Sequence, residues 1–229
     1  MTSTAPAPEN PSHKPSALTP DFIKQREREA VAMVLRLALG YARKAAKTPL
    51  FAAEVGVYRG RTLALLATEL DAAGADAVVV GFDSFAGLPE LSERDIELAS
   101  PLLLQRRELL FSDTSKREVE AFLEPYAARK NIELHEGSFE TAFAQAPERN
   151  YFFVNMSCKL NSSHLAALEY FYPRMAPGGV ILFDDYLDKS FPMARAAVDE
   201  FLADKPETIC QLQSGEGSST FRRVFVTKS

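Results

Sequence analysis

Two adjacent carboxylates, Asp184 and Asp185, follow the apolar letters VILF late in the chain. If that run is a buried strand, successive side chains alternate between the faces of the sheet, so one carboxylate should face a cleft and the other a neighbouring element. Carboxylates at a strand end suit a hard divalent cation or a general base. The alternative is that both cap the helix that follows, since aspartate is a favoured capping residue.

A second set of polar residues follows two apolar runs in the first half of the chain. It comprises Glu54, Gly56, Tyr58, Gly60, Asp83 and Ser84. Gly56 and Gly60 permit a tight turn and a close approach of the backbone to a ligand, although an ordinary strand-to-helix turn would use them equally well. Their spacing differs from the G-x-G-x-x-G of a dinucleotide-binding loop. Asp83 could accept hydrogen bonds from two ribose hydroxyls or, alternatively, cap a solvated turn.

A third stretch, residues 154–163, reads VNMSCKLNSS and follows the apolar letters YFF. A buried strand is predicted to end here, yet the stretch contains no carboxylate. Lys159 is interpreted either as a functional cation or as a surface lysine, because lysines are mostly exposed. Cys158 is predicted to be a small buried residue, since no histidine is placed in the sequence to activate it. His164 is predicted to be a solvated or capping residue at a helix start rather than a base.

The elements that must position these residues follow from the alternation of short apolar runs with helical segments. The predicted strands are LFAAEVGV, DAVVVGFDS, NIELHEG, YFFVNM, GGVILFDDY, ETICQLQSG and TFRRVFVTK. The predicted helices between them are GRTLALLATELDAAG, residues 94–110, residues 115–129, HLAALEYFYPRM and FPMARAAVDEFLAD. This order predicts a Rossmann-like α/β fold: a seven-stranded, mostly parallel sheet with helices on both faces and an antiparallel C-terminal hairpin. In such a sheet ligands bind beyond the carboxyl ends of the strands.

Length and composition restrict the class of protein. The 229 residues, 46% of them apolar, suit a single domain over residues 20–229, preceded by a flexible proline-rich tail over residues 1–19. A helix is predicted to begin at Thr19-Pro20-Asp21. A net charge of −5 argues against a nucleic-acid partner.

No apolar run approaches the roughly 20 residues that cross a bilayer, and no signal peptide is recognisable. Two cysteines do not make a disulfide framework. We therefore expect a cytoplasmic protein without a membrane partner.

Five motifs occur in the order and spacing of a known family. They are EVGVYRGRT, GFDSFAGLPE, HEGSFE, LEYFYPRMAPGGVILFDDY and ARAAVDEF, between about Glu54 and Phe201. Together they resemble the macrocin O-methyltransferase (TylF-like) family. The resemblance implies an S-adenosylmethionine-dependent methyltransferase of secondary metabolism that methylates a hydroxyl of a small-molecule acceptor such as a sugar, usually with bound magnesium. It also makes a homo-oligomer plausible.

The resemblance also implies roles for the residues of these motifs. Residues 54–60 would wrap the methionine part of the cofactor, and Asp83 would hold the ribose. Ser138, Phe139 and Glu140 would lie near the adenine. Asp184 and Asp185 would belong to the metal and acceptor side.

The chain departs from the family at residues 157–163. Where relatives read approximately D-C-D-L-Y-S-S, this chain reads SCKLNSS, so that both acids and the tyrosine are replaced. A hard dication prefers several charged oxygen ligands, whereas Ser157 offers a neutral oxygen and Lys159 a positive charge. The substitutions therefore argue against bound magnesium and predict no metal ligands in this stretch.

Three readings of the altered stretch stay open on the sequence alone. In the first, an active, metal-independent enzyme uses Lys159 in place of the cation, held by Asp184 or Asp185, with the other carboxylate as base. In the second, the protein is a cofactor-binding pseudoenzyme or scaffold subunit without catalysis. In the third, the acceptor is an amine or a carboxylate, and Lys159 pairs with a substrate carboxylate.

Overall fold

The structure is a computed structural model that describes residues 20–45, 49–127, 131–212 and 223–229. The predicted tail over residues 1–19 and the predicted turn over residues 214–219 lie outside the described residues. None of the helices in the described ranges is long and apolar enough to span a membrane.

A seven-stranded sheet with the strand order β3-β2-β1-β4-β5-β7-β6 forms the centre of the fold. Its strands are β1 (Leu50–Val55), β2 (Ala77–Asp83), β3 (Ile132–Glu136), β4 (Tyr151–Met156), β5 (Met175–Phe183), β6 (Cys210–Gln211) and β7 (Val224–Thr227). The first five strands pair in parallel, while β7 runs antiparallel to both β5 and β6. The predicted parallel sheet with an antiparallel C-terminal hairpin is confirmed.

Helices connect the parallel strands. They are α1 (Pro20–Ala45), α2 (Arg61–Ala72), α3 (Glu93–Leu98), α4 (Pro101–Arg106), α5 (Lys116–Leu123), α6 (Phe139–Gln145), α7 (Asn161–Phe171) and α8 (Pro192–Leu202). Short 3₁₀ turns follow at Arg107–Leu109, Glu124–Tyr126 and Tyr172–Arg174. The predicted start of the first helix is confirmed at Pro20, whereas Thr19 lies outside the described residues.

The helix predictions were wrong in two places. The helix predicted over residues 94–110 is divided into α3 and α4, because Ser100 is extended before Pro101 and caps the second helix through the amide of Leu103. The short helix α6 was missed, since its seven residues carry too little periodicity to reveal it. Its start at Ser138, which accepts a hydrogen bond from the amide of Thr141, is an ordinary capping signal.

Apolar residues cover both faces of the sheet. On one face α1 and α2 pack on β-strand residues such as Ala52 and Val79. On the other face α6, α7 and α8 pack on residues such as Val80 and Val154. Adjacent strand residues thus belong to different clusters, as the alternation of side chains in a sheet requires. Because helices cover both faces, a ligand can bind at the edge of the sheet formed by the carboxyl ends of the strands.

Backbone hydrogen bonds continue past the ends of the strands at that edge. The amide of Gly56 donates to the carbonyl of Phe82 at 2.9 Å, and that of Ser157 to the carbonyl of Val55 at 2.8 Å. The amide of Asp184 donates to the carbonyl of Met156 at 3.0 Å. The residues that follow β1, β4 and β5 are therefore held by the sheet itself.

Candidate functional site

A cleft of about 730 Å³ opens at the carboxyl edge of the sheet. Seven of the eight predicted cofactor-binding residues line it: Glu54, Gly56, Tyr58, Asp83, Ser84, Ser138 and Phe139. Gly60 does not line it and instead precedes α2, with a φ of 75°. Lys159 and residues of the segment between β2 and α5 complete the wall. The structure thus brings the polar ends of β1, β2, β3 and β4 into one cavity.

Asp83 organises the two turns that border the cleft. Its Oδ2 accepts a hydrogen bond from the amide of Tyr58 at 2.8 Å, and its Oδ1 accepts one from the amide of Phe85 at 2.7 Å. Tyr58 and Phe85 have φ values of 50° and 52°, a conformation that L-residues rarely adopt without such support. A carboxylate has about four acceptor positions, so Asp83 keeps free lone pairs for hydroxyl groups of a ligand.

Gly56 lies where the turn after β1 crosses the end of β4. Its φ is 86°, and a Cβ atom at this position would stand 2.2 Å from the carbonyl oxygen of Ser157. Only glycine tolerates both the backbone conformation and the contact. The close approach sets the floor of the cleft beside the altered stretch.

Glu54 is a buried carboxylate that also lines the cleft. Burial raises its pKa well above the usual range, and the negative charge of Asp184 raises it further. Asn155 donates to its Oε1 at 3.5 Å, while Oε2 is buried without a hydrogen-bond partner in the described parts of the chain. The raised pKa favours the neutral acid, and a positively charged donor of a ligand beside Oε2 would favour the ionised carboxylate instead.

Ser84 and Ser138 shape the mouth of the cleft through local hydrogen bonds. The hydroxyl of Ser84 donates to the carbonyl of Gly87 at 3.2 Å and accepts from the amide of Ala86. Ser138 caps α6 and places Phe139 in its first turn. Each serine therefore has a structural task whether or not a ligand is bound.

Lys159 and Asp185 form a close ion pair between β4 and β5. Nζ of Lys159 lies 2.5 Å from Oδ1 of Asp185, and the two side chains are only 18% and 4% exposed. The ammonium also faces the rings of Phe111 and Phe191 at 5.7 and 5.5 Å. Lys159 has a φ of 65°, so its backbone turns sharply to aim the side chain inward. The alternative interpretation of Lys159 as a surface lysine is wrong.

The protonation of this pair follows from its surroundings. Burial lowers the pKa of Lys159, but the charge and hydrogen bond of Asp185 outweigh that effect, and the pKa lies above its usual value. Burial raises the pKa of Asp185, against the opposing charge of Lys159. Oδ2 of Asp185 is buried and finds no hydrogen-bond partner among the described residues. This oxygen is therefore a candidate acceptor for a ligand proton.

Asp184 is bound by a residue that the sequence reading overlooked. Nε of Arg223 lies 2.6 Å from its Oδ1 and Nη2 lies 3.2 Å from its Oδ2. The sequence reading left one of the two aspartates free as a base, whereas Asp184 is engaged in this bidentate ion pair. The basic letters RR at the start of the closing strand were the available signal, because an antiparallel β7 places its first residues beside the end of β5.

A second cavity of about 190 Å³ adjoins these ion pairs. It is lined by Glu27, Lys159, Asp184, Asp185, Asp188 and Arg223. Lys159 lines both cavities, so the large cleft and the smaller one meet at this residue. A ligand in one cavity would therefore lie close to a ligand in the other.

The residues at the strand-five end do not fit magnesium. Within the described ranges, no three His, Cys, Asp or Glu side chains are grouped so that they could hold a metal ion. Both carboxylates already carry a positive partner from the chain, and Ser157 supplies no charge. A hard dication requires several unoccupied oxygen ligands, which this arrangement lacks.

Two other residues of the altered stretch are buried. Cys158 is a small buried residue, as predicted, and burial raises the pKa of its thiol well above the usual range. The prediction that His164 is a solvated or capping residue is wrong, because His164 is fully buried in α7 and its Nδ1 lies 2.9 Å from the carbonyl oxygen of Leu160. The apolar surroundings lower the pKa of His164.

Asp95 fastens the segment between β2 and α5 to the start of α7. This fully buried carboxylate accepts hydrogen bonds from the amide of Asn161 at 2.6 Å, the hydroxyl of Ser162 at 2.8 Å and the hydroxyl of Ser92 at 2.6 Å. Sequence reasoning missed Asp95, although Ser92 and Asp95 have the S-x-x-D spacing of a capping box, which the structure forms at the start of α3. Leu91 and Phe111 of the same segment pack against the buried cluster that contains Leu160, and both line the cleft.

The Asp95→Ala variant is expected to unfold about 3 kcal/mol more easily than the native chain, because several buried donors lose their acceptor at once. Urea denaturation followed by circular dichroism measures this difference. The matched control is Glu97→Ala on the same helix, whose exposed ion pair with Arg94 should contribute at most about 0.5 kcal/mol. If the two substitutions lowered the free energy of unfolding equally, Asp95 would not be fastening this segment to the start of α7.

The comparisons with known proteins agree with this geometry. Demethyldecarbamoylnovobiocin O-methyltransferase of Streptomyces niveus is 29% identical over 152 residues, which cover 66% of this chain and 57% of that protein. Mycinamicin III 3''-O-methyltransferase of Micromonospora griseorubida is 28% identical over 151 residues, 65% of this chain and 58% of that protein. The chain thus spans a little over half the length of these curated relatives.

Solved structures share the fold. The O-methyltransferase NovP superposes with a TM-score of 0.71 at 24% identity, covering 91% of this chain and 80% of that one. The calicheamicin methyltransferase CalS11 gives a TM-score of 0.65 at 17% identity, covering 98% of this chain and 99% of that one. Residues 45–211 match the family described as Macrocin-O-methyltransferase (TylF). Since that match spans well over half of the 229 residues and includes all five motifs, the chain belongs to the macrocin O-methyltransferase family.

Proposed function

We propose that this protein is an S-adenosylmethionine-dependent O-methyltransferase, formed as one domain by residues 20–229. Its acceptor is a small hydroxylated molecule, a sugar or another secondary metabolite. The observation that carries the proposal is the 730 Å³ cleft at the carboxyl edge of the sheet, lined by the family's motif residues. By their names, the two relatives are O-methyltransferases that act on demethyldecarbamoylnovobiocin and on mycinamicin III, which supports a small-molecule oxygen acceptor here.

The residues of the cleft fit S-adenosylmethionine, which supplies an electrophilic methyl group when it is bound. Asp83 retains lone pairs for the two ribose hydroxyls. The buried, half-satisfied carboxylate of Glu54 suits the ammonium of the methionine part. Ser138 and Phe139 line the same cleft and would lie near the adenine, while Tyr58 and Ser84 belong to the two turns that Asp83 supports.

Lys159 and Asp185 would carry the chemistry on the acceptor side. The acceptor hydroxyl would take the methyl group that S-adenosylmethionine supplies, leaving S-adenosylhomocysteine, and would give its proton to Oδ2 of Asp185, which has no other partner in the described chain. The ammonium of Lys159 stabilises the developing negative charge on that oxygen. Asp185 thus holds Lys159 through one oxygen and serves as base through the other.

The reaction proposed here needs no metal ion, because the side chains of Lys159 and Arg223 already neutralise Asp185 and Asp184. We expect that EDTA-treated protein binds S-adenosylmethionine with a dissociation constant in the micromolar range. Isothermal titration calorimetry measures the affinity with and without added Mg²⁺, and the two values should agree within about twofold. An affinity that appears only after Mg²⁺ is restored would contradict the metal-independent site.

Turnover is tested by the release of S-adenosylhomocysteine from the same EDTA-treated sample. Suitable probes are demethyldecarbamoylnovobiocin, named in one relative, and TDP-rhamnose, named for the solved CalS11 structure. Product with a hydroxylated probe would support O-methyl transfer. Product only with amine or carboxylate probes would favour the third reading of residues 157–163.

The second candidate function is a cofactor-binding scaffold subunit without catalysis. The observation in its favour is that Asp184 and Asp185 are both occupied by side chains of the chain itself. Micromolar binding of S-adenosylmethionine without turnover on any hydroxyl, amine or carboxylate probe is the result expected for such a subunit. Absence of cofactor binding in folded protein would contradict both functions.

A further inference from the structure

Arg223 lies where the closing strand, the end of β5 and the first helix meet. Besides its two bonds to Asp184, its Nη1 donates to the carbonyl of Glu27 in α1 at 3.1 Å. The side chain is 12% exposed and Asp184 is 11% exposed. All three guanidinium nitrogens are therefore engaged, and a planar group held in this way has little freedom to move.

Lys159 and Arg223 neutralise two consecutive carboxylates. Asp185 binds Lys159 and Asp184 binds Arg223, so the two ion pairs stand side by side at the end of β5. Burial lowers the pKa of Arg223, but the charge of Asp184 outweighs this and the pKa lies above its usual value. The two positive charges from the chain stand beside the carboxylate oxygens that a hard cation would use as ligands.

We propose that Arg223 is a positioning residue that, together with Lys159, excludes divalent cations from the acceptor side. By binding Asp184 in a bidentate manner it holds that carboxylate in an ion pair of its own, while Oδ2 of Asp185 keeps no hydrogen-bond partner among the described residues. A dication could enter only by displacing two buried ion pairs and would meet the charge of both released cations. The exclusion of metal ions does not depend on catalysis. The role of Arg223 in leaving Asp185 able to act as the base rests on the proposed function.

The opposite interpretation is that Arg223 only ties α1 to the sheet. The two interpretations differ in their dependence on charge. If Arg223 excludes a cation, Arg223→Lys keeps the exclusion because the charge remains, and Arg223→Gln weakens it. If Arg223 only supports the fold, Arg223→Lys and Arg223→Gln change stability and leave the affinity for metal unaltered.

The experiment is a titration of the full-length chain with Mn²⁺, with free Mn²⁺ counted by electron paramagnetic resonance. We expect the native chain and Arg223→Lys to bind no Mn²⁺ up to roughly millimolar concentration. The Lys159→Asp/Arg223→Gln double variant presents three carboxylates and should bind one Mn²⁺ at least about 100-fold more tightly. Adding Asp184→Asn to it should abolish that gain. The control Arg195→Gln removes an arginine from an exposed pair with Asp199 and should bind no Mn²⁺.

Tight binding of one Mn²⁺ by the native chain, lost in Asp185→Asn, would overturn the proposal whatever the variants do. A folded double variant without any gain in Mn²⁺ affinity would overturn it too. If the double variant does not fold by circular dichroism, Arg223→Gln alone decides, with a gain over Arg223→Lys expected. Calorimetry of the native chain with S-adenosylmethionine runs in parallel, so that a missing cofactor site is distinguished from a failure of the metal exclusion.

Discussion

Replacing Lys159 with methionine is expected to lower the rate of methyl transfer by at least about 100-fold, the usual loss when a positioned donor is removed from developing negative charge. Methionine keeps the length of the side chain and removes its charge. The affinity for S-adenosylmethionine should change by no more than a few-fold, because Glu54 and Asp83 are untouched. Turnover is measured as S-adenosylhomocysteine release, and affinity by calorimetry.

The same substitution should change the pH dependence of stability. Without Lys159 the buried Asp185 loses its counter-ion, so its pKa rises further above the value of an unfolded chain. A carboxyl group whose folded-state pKa is raised destabilises the fold as pH rises from the unfolded-state pKa towards the folded-state one, where the group would ionise. The melting temperature of Lys159→Met, relative to the native chain, should therefore be highest in acid and fall towards neutral pH.

Two further variants serve as controls for Lys159. Lys189→Met removes an exposed lysine a few residues beyond Asp185 and should leave both rate and stability near the native values. Lys159→Arg keeps the positive charge and should retain part of the activity. Native turnover in Lys159→Met would contradict the proposed role and return Lys159 to a structural one.

Replacing Gly56 with alanine is expected to destabilise the chain by about 3 kcal/mol and to abolish cofactor binding. The added Cβ would lie 2.2 Å from the carbonyl oxygen of Ser157, and the φ of 86° is strained for any L-residue. The backbone of β1 and β4 must separate to relieve the contact, which moves the floor of the cleft. Chemical denaturation measures the stability, and calorimetry with S-adenosylmethionine measures the binding.

Substitutions at two other glycines distinguish the effect of backbone strain from the effect of the close Cβ contact. Gly74 has a φ of 63° with no atom within 4 Å of its would-be Cβ, so Gly74→Ala should cost only the strain, about 1 kcal/mol, and leave binding intact. Gly40 lies inside α1 with equally open surroundings and an ordinary φ, so Gly40→Ala should be neutral or stabilising. Gly56→Ala behaving like Gly74→Ala would show that the close approach does not matter.

Local patterns were sufficient for most of the architecture. The letters YFFVNM became β4 with the predicted bounds, because a short, mostly apolar run that is rich in aromatic and β-branched residues favours a strand buried on both faces. The division of α3 from α4 was missed, although Ser100-Pro101 is visible in the sequence, since the apolar periodicity on either side suggested one helix. The substitutions at residues 157–163 could be recognised from the sequence, because the neighbouring motifs fix how this stretch aligns with the family pattern.

The sequence by itself determined the family, the sheet and the identity of the residues at its carboxyl edge, because strand periodicity and motif order are local properties of the chain. Only the tertiary structure decided which charges meet there. Lys159 pairs with Asp185 and Arg223 with Asp184 across separations of 26 and 39 residues. Buried ion pairs depend on the three-dimensional register of β4, β5 and β7 and on the exclusion of water, and neither is visible in the spacing of residues along one chain.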